Sequence, residues 1–545
     1  MPHTTGVFDE TFDVVVVGFG LAGGITALNA AQAGAKTLLI EKSSVPGGLS
    51  ICSYGAVRSA RDPDAAFLYL KTTNDGRTPD DVLRVLADGM CELEGYVREL
   101  GRINDAVIAN SVEENALREK SGDPYRRQIR ANYPLPGTDT FYHTTVIDVP
   151  GFDARAEYPW ANGAPGGPRL FRIVHDHLRK LGVEIRLATP ALHLIADPAT
   201  REVRGVCVSS NGVARNIEAR RGVVLASGGF EGNADMKAQF FEGRPVLNAA
   251  ARMNNGDGIR MAQHLGAALW HMWHIHGAYG FRHTDASYPY GIRVKRMPDW
   301  FPGESGKVKV PMAWILVDQY GKRFMSEYQP YTQDTGVRQL QHFDAITQRF
   351  PRNPSFLICD EAGRGMYPLG KATSNDEGIR YEWSDDNLKE VELGIIKRAN
   401  TIAELAKSLG IDAAAFAHSI ARWNALCASG SDEDFERPAG SMTPIKSPPF
   451  YGAPVWATLS NTQGGPVHDA EQRIIDVYGK PIPRLYSAGE LGSSFGHLYL
   501  SGGNIAECFV TGRIAGRNAA SERAKSMRGF ALGIDTRVAR DQDRV

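Results

Sequence analysis

Cysteine is scarce and scattered. The 545-residue chain holds six (Cys52, Cys91, Cys207, Cys359, Cys427 and Cys508), with no Cys-x-x-Cys pair and no metal-ligand spacing. That excludes a disulfide framework and fits isolated thiols in a reducing compartment. Long apolar runs are missing as well. Val14 to Val17 is cut off at once by glycines, so no integral membrane segment is expected. Met1 to Thr11 lacks a basic region followed by an apolar core, so no secretory signal is read and a cytoplasmic location is the default expectation. Charge of one sign is also absent. The formal net charge is −1, so no global field draws in nucleic acid or an anionic membrane. His271, His274, His276 and His283 crowd together without cysteine or carboxylate at ligand spacing, and no metal is expected there.

What is present is ordinary for a soluble globular protein: 43% hydrophobic and 23% charged residues, in a chain long enough for two or three domains. The first local pattern is the most informative. Phe12 to Val17 reads as a buried parallel strand, β-branched and apolar on both faces. Gly18-Phe19-Gly20-Leu21-Ala22-Gly23 follows as a full G-x-G-x-x-G, then a helical stretch from Ile25 to Gly34. Thr37 to Ile40 forms a second strand that ends at Glu41.

Gly18 permits the tight turn, Gly20 admits a pyrophosphate to the backbone, and Gly23 lets helix and strand pack closely. The helix N-terminus supplies free N–H groups and partial positive charge for the phosphates, and Leu21 and Ala22, between the glycines, are expected cofactor contacts. Glu41 stands about 20 residues on, where an acid holds a ribose hydroxyl. Beside it, Lys42 leads into Gly47-Gly48-Leu49-Ser50, a second glycine turn over the phosphates that resembles flavoproteins. Two distant segments agree: Val223-Val224-Leu225-Ala226-Ser227-Gly228-Gly229, and Leu485-Tyr486-Ser487-Ala488-Gly489-Glu490. After these, Gly502-Gly503-Asn504 opens a helix from Ile505 whose positive end suits an anionic reduced flavin.

Together these segments resemble the fumarate reductase and 3-ketosteroid dehydrogenase superfamily of FAD enzymes. Asn254-Asn255-Gly256-Asp257-Gly258, Gly321-Lys322-Arg323-Phe324-Met325-Ser326-Glu327, Gly464-Gly465-Pro466 and Gly512-Arg513-Ile514-Ala515-Gly516 complete the likeness, which runs from about Phe12 to Ala520. It implies bound FAD, with Asn255, Asp257, Glu490, Ser501, Asn504 and Ile505 among the cofactor contacts. The implied fold is α/β: a discontinuous Rossmann-like FAD-binding domain (1–275 and 456–530) with an inserted α+β capping domain (276–455), then a C-terminal tail (531–545).

The superfamily divides by chemistry. Fumarate-type reductases carry an arginine proton donor where Tyr331 stands here, and a carboxylate-binding arginine where Leu500 stands. A dianion loses its hydration at a cost of several kcal/mol unless a guanidinium clamps it, so fumarate reduction is not expected. The same segments resemble the ketone-desaturating branch. Glu327-x-x-Pro330-Tyr331 implies that Tyr331 takes the proton beside a ketone, with a small-molecule ketone as substrate and an unidentified electron acceptor. Gly496-His497-x-Tyr499 implies that the Tyr499 hydroxyl and the Gly503 amide hold the ketone oxygen. Leu500-Ser501-Gly502 departs from the Pro-Gly-Ala of Δ1-type enzymes, and Tyr499-x-Ser501 resembles Δ4-(5α)-type ones, which leaves the bond position open and gives Ser501 a site role. Tyrosine is a poor base at its normal pKa of about 10, so Tyr331 needs a polar partner; Tyr133 is the candidate, with Tyr125, Tyr142 and Tyr158 as competitors.

Overall fold

The computed structural model describes residues 8–121, 133–295, 311–328 and 337–525. The chain opens with strand β1 (Glu10–Val17), helix α1 (Leu21–Gln32) and strand β2 (Thr37–Ile40). β1 is buried from Phe12 onward and β2 throughout, so both faces of each strand meet apolar neighbours, as a helix-covered parallel sheet requires. Later come β3 (Glu184–Arg186), β4 (Val213–Leu225), β5 (Ile275–Arg282) and β6 (Phe450–Thr462). β7 (Arg473–Ile475), β8 (Pro481–Ser487) and α2 (Gly503–Ser521) complete the elements needed here.

The first sheet runs β7-β8-β4-β1-β2-β3. β1 pairs in parallel with β4 and β2, setting Val17 beside Leu225 and Ile40, and Leu225 lies beside Ser487 of parallel β8. The carboxyl ends of four strands therefore share one edge. The turns that follow them, at Gly18, Glu41, Ala226 and Ala488, open onto one crevice, where ligands of doubly wound sheets sit. α2 packs on α1, so the C-terminal segment closes the cofactor layer begun at the N-terminus.

A second sheet is mixed. Its path is Ile315–Val317, Ser355–Asp360, β6, β5, Gly291–Val294 and Gly370–Lys371. β6 is antiparallel to both β5 and Ser355–Asp360, over a core that includes Trp314, Leu357 and Tyr279. The α/β class, the discontinuous Rossmann-like layer and the inserted α+β part thus follow the expected arrangement. The expected edge at 455/456 falls inside β6, which is one continuous strand of the second sheet. We propose the same division with that edge moved to the strand's end.

Candidate active site

The crevice at the sheet edge is an open cleft. Gly18 turns the chain at φ +106, a region closed to ordinary side chains. A Cβ on Gly23 would lie 1.8 Å from the Gly18 carbonyl oxygen, so only glycine lets α1 meet the turn. α1 is capped by Gly20 without a side-chain hydrogen bond, and the Ser50 hydroxyl accepts from the Leu21 amide at 3.3 Å. One end of the cleft holds Glu41, whose two oxygens accept from the Phe19 and Ser43 amides, each at 2.8 Å. Burial pushes its carboxyl up from the usual glutamate range. Lys42 pairs with Asp257, which fixes both charges on the cleft wall.

Gly18, Gly20, Leu21, Ala22, Gly48, Leu49, Ala226, Ser227, Gly228 and Glu490 also line this space. Several expected contacts stand outside it, for physical reasons. Gly23 and Gly47 shape turns, since a Cβ on Gly47 would strike Ile51 at 2.7 Å. Gly489 donates its amide to the Thr511 hydroxyl at 2.9 Å and packs on Ala22. The Asn255 carbonyl accepts from Asn233 and Arg260, and its neighbour Asn254 lines the cleft. Ser501, Asn504 and Ile505 do not line the cleft and cluster instead around the start of α2.

There the side chains converge on Tyr499, which is only 4% exposed. Its ring stacks on His276 with centroids 3.9 Å apart and meets Phe495 edge-on at 5.4 Å. The Asn504 amide donates to its hydroxyl at 3.3 Å. Asn504 and Gln463 exchange side-chain hydrogen bonds at 3.0 and 3.2 Å. Behind them Glu507, fully buried, accepts from the Ser493 hydroxyl at 2.7 Å and the Ser494 amide at 2.6 Å. Burial pushes its carboxyl up to about 7. Burial likewise drives the Tyr499 hydroxyl well above the usual phenol range, so it stays protonated and able to donate.

The Gly503 amide donates to the Leu500 carbonyl at 2.7 Å, closing a turn through Gly502 at φ +74. Ser501 does not cap α2 with its side chain, because Gly502 is the cap. The Ser501 carbonyl accepts from Arg58 Nε at 2.7 Å, with His143 Nε2 at 3.3 Å. Tyr133 shares the apolar cluster that contains Tyr499, and its amide donates to the Tyr69 hydroxyl at 3.2 Å. Tyr142 is hydrogen-bonded to Glu94 and Tyr158 to His175, so both are committed elsewhere. Tyr331 and Tyr125 lie outside the described residues.

Sequence reasoning missed Arg58, Gln463, Glu507 and Glu231, polar residues in segments that carry no motif of their own. The crowded histidines have a use it did not foresee. His271 Nδ1 lies 2.8 Å from the Ser493 carbonyl and His274 Nδ1 2.7 Å from that of Phe495, bracing the segment that carries Tyr499. Burial lowers His271 to about 4, so it holds that contact as a neutral N–H donor. Among the described residues no group of three metal-ligating side chains forms, and no helix is long and apolar enough to cross a membrane.

The FAD binding domain family matches residues 13–505. A fumarate reductase (cytochrome) of Shewanella frigidimarina is 26% identical over 522 residues, 95% of this chain and 78% of that protein. A 4-oxocyclohexanecarboxylate 2-dehydrogenase of Sinomonas cyclohexanicum is 27% identical, covering 96% of this chain and 95% of its own length. Among solved structures, the 3-ketosteroid Δ1-dehydrogenase of Sterolibacterium denitrificans superposes with a TM-score of 0.75 over 94% of this chain and 99% of that one, at 22% identity, which speaks for the fold. The Gly18 turn, the uncapped start of α1 and the Glu41 carboxylate suit the pyrophosphate and ribose of such a cofactor. The chain belongs to the FAD binding domain family and, with the fumarate reductases and 3-ketosteroid dehydrogenases, is an FAD-dependent oxidoreductase acting on CH–CH groups.

Proposed function

We propose that this enzyme introduces a C=C bond next to the carbonyl of a cyclic ketone, a 3-ketosteroid or a smaller alicyclic ketone. The observation that carries the reading is Tyr499: a buried phenol, held protonated by burial and fixed by Asn504 at the start of a helix beside the cofactor cleft. Such a donor stabilises charge that develops on a carbonyl oxygen, a task typically worth ~10²–10³ in rate. With the Gly503 amide committed to Leu500, Tyr499 is the oxygen's donor and Asn504 its support. The carbon next to the carbonyl loses its proton to Tyr331, assigned by the Glu-x-x-Pro-Tyr segment. FAD, when bound, supplies the hydride acceptor for the neighbouring carbon. Tyr133, in a Tyr-Pro stretch like the family's, is the candidate partner for Tyr331. A separate electron acceptor then reoxidises the cofactor.

The relative that acts on 4-oxocyclohexanecarboxylate supports the cyclic-ketone class. The reverse reading, reduction of an enone or enoate, is favoured by the fumarate reductase relative. Leu500, buried to 1% exposure where the carboxylate-binding arginine of that group stands, opposes a dianionic substrate. Anaerobic mixing of the holoenzyme with a panel of steroid and single-ring ketones tests the proposal. Bleaching of the flavin band by a ketone, with the α,β-unsaturated product recovered, is expected. Failure of every ketone, combined with oxidation of the reduced enzyme by fumarate, would reverse it.

A further inference from the structure

The turn after β4 carries Glu231, which is fully buried and does not line the cofactor cleft. It faces Glu490, the cleft residue that follows β8. Both carboxyls converge on one backbone amide: Thr462 N lies 3.0 Å from Glu490 Oε1 and 3.3 Å from Glu231 Oε1. The two carboxyls face each other, the Asn254 side chain also reaches Glu231, and Glu231 Oε2 is buried without a hydrogen-bond donor in range. Glu490 Oε1 packs over Gly229, 2.6 Å from where a Cβ there would be, so only glycine leaves the carboxyl this place.

Among the described residues no cation is hydrogen-bonded to this pair. Lys237, on the helix Ala234–Phe240, exerts a favourable charge on Glu231, but its amine donates to the Val246 carbonyl at 3.1 Å. From α2 the neighbour is Cys508, whose thiol burial keeps neutral. From β6 it is Thr462, which contributes only its amide and hydroxyl. Two carboxyl oxygens in contact cannot both be acceptors. One proton has to lie between them, and it then belongs to the pair.

We propose that Glu231 and Glu490 share one proton and that this proton fixes the Glu490 carboxyl at the FAD cleft, which makes Glu231 a positioning residue for the cofactor. Loss of the proton puts two adjacent negative charges on the cleft wall. Glu490, the partly exposed member, then turns from Thr462 toward the cleft and displaces the cofactor's polar contacts. The inference rests on the FAD site alone and is independent of the ketone reading.

The test is retention of FAD by the holoenzyme, followed as free-flavin fluorescence on dilution across pH. In the natural protein binding keeps one more proton than release does, so the dissociation constant rises by up to about tenfold per pH unit above the pair's titration. Glu231→Gln replaces the shared proton with a permanent N–H donor to Glu490. It should bind FAD as the natural protein does at low pH and lose the slope. Glu490→Gln should also lose the slope, at a weaker overall affinity, and decides the matter if the first variant does not fold. A pH-independent natural protein, or a slope that persists in Glu231→Gln, would overturn the proposal. Both outcomes can be read whether or not any ketone is turned over.

Discussion

A phenol in water loses its proton near pH 10, but Tyr499 is stacked on His276 and shut from water, and burial moves that loss higher still. Removing its hydroxyl while keeping the ring separates chemistry from packing. Tyr499→Phe should slow anaerobic flavin reduction by a ketone about 10²-fold or more, with FAD content unchanged. Near-normal stopped-flow reduction would show that the ring is there to pack. Glu507, behind it, permits a check on pH. Its folded value, about 7, lies above the ordinary glutamate value of about 4.3, chiefly through burial. A raised acid holds its proton more tightly in the folded state, so its stabilising share is complete below about 4.3 and is lost as pH rises toward 7. The melting temperature of Glu507→Gln should therefore gain on the natural protein across that window and run parallel above it. A constant difference across pH would mean that Glu507 is not the titrating group.

At the scale of elements, the turn from β1 into α1 tolerates no extra atom at Gly23, whose Cβ would meet the Gly18 carbonyl at 1.8 Å. Gly23→Ala must push helix and strand apart, at a cost of about 1–3 kcal/mol or more, and tilts the uncapped helix start away from the phosphates. Lower thermal stability together with weakened FAD retention is expected. A variant that melts and binds as the natural protein does would refute the packing argument. This unit was legible in the sequence because its constraints are local: β-branched run, glycine spacing, helix and Glu41 follow in order. The start of α2 was legible only in outline. Glycines at 502 and 503 announce a turn, but they do not say that the Gly503 amide is spent on Leu500 while Asn504 serves Tyr499. Glu231 and Arg58 were invisible for the same reason, since a polar letter outside a motif does not show what it faces.

Across the whole molecule, the Arg323-Phe-x-x-Glu327 motif read in the sequence as a mark of kinship turns out to hold the inserted part together. Arg323 clamps Glu327 and Asp432, with bonds of 2.9 and 2.7 Å, and Arg437 reaches Glu327 at 3.2 Å and the Trp314 carbonyl at 2.9 Å. Glu327, Asp432 and Arg437 have no exposed side-chain surface and Arg323 only 6%, so two positive and two negative groups balance out of water. Removing one member leaves a buried charge uncompensated, which typically costs about 3–5 kcal/mol. Glu327→Gln should lower stability by that order in denaturant unfolding at neutral pH. Burial, the largest single influence, would raise the Glu327 carboxyl, but the charges and hydrogen bonds of Arg323 and Arg437 together hold it below the usual range; at Asp432 the Arg323 charge and hydrogen bonds, with backbone amides, do the same. Depressed acids stabilise fully above their unfolded values of about 4.3 and 3.9, and that share is lost as pH falls through the lower folded values. Acid should therefore loosen the segments around 312–328 and 432–441 before the β1–β4 layer, whose core is apolar. Hydrogen exchange followed by mass spectrometry as pH is lowered checks the order. Protection lost first from β1 and β4, or a Glu327→Gln variant as stable as the natural protein at neutral pH, would show that the network contributes little to holding the second sheet in place.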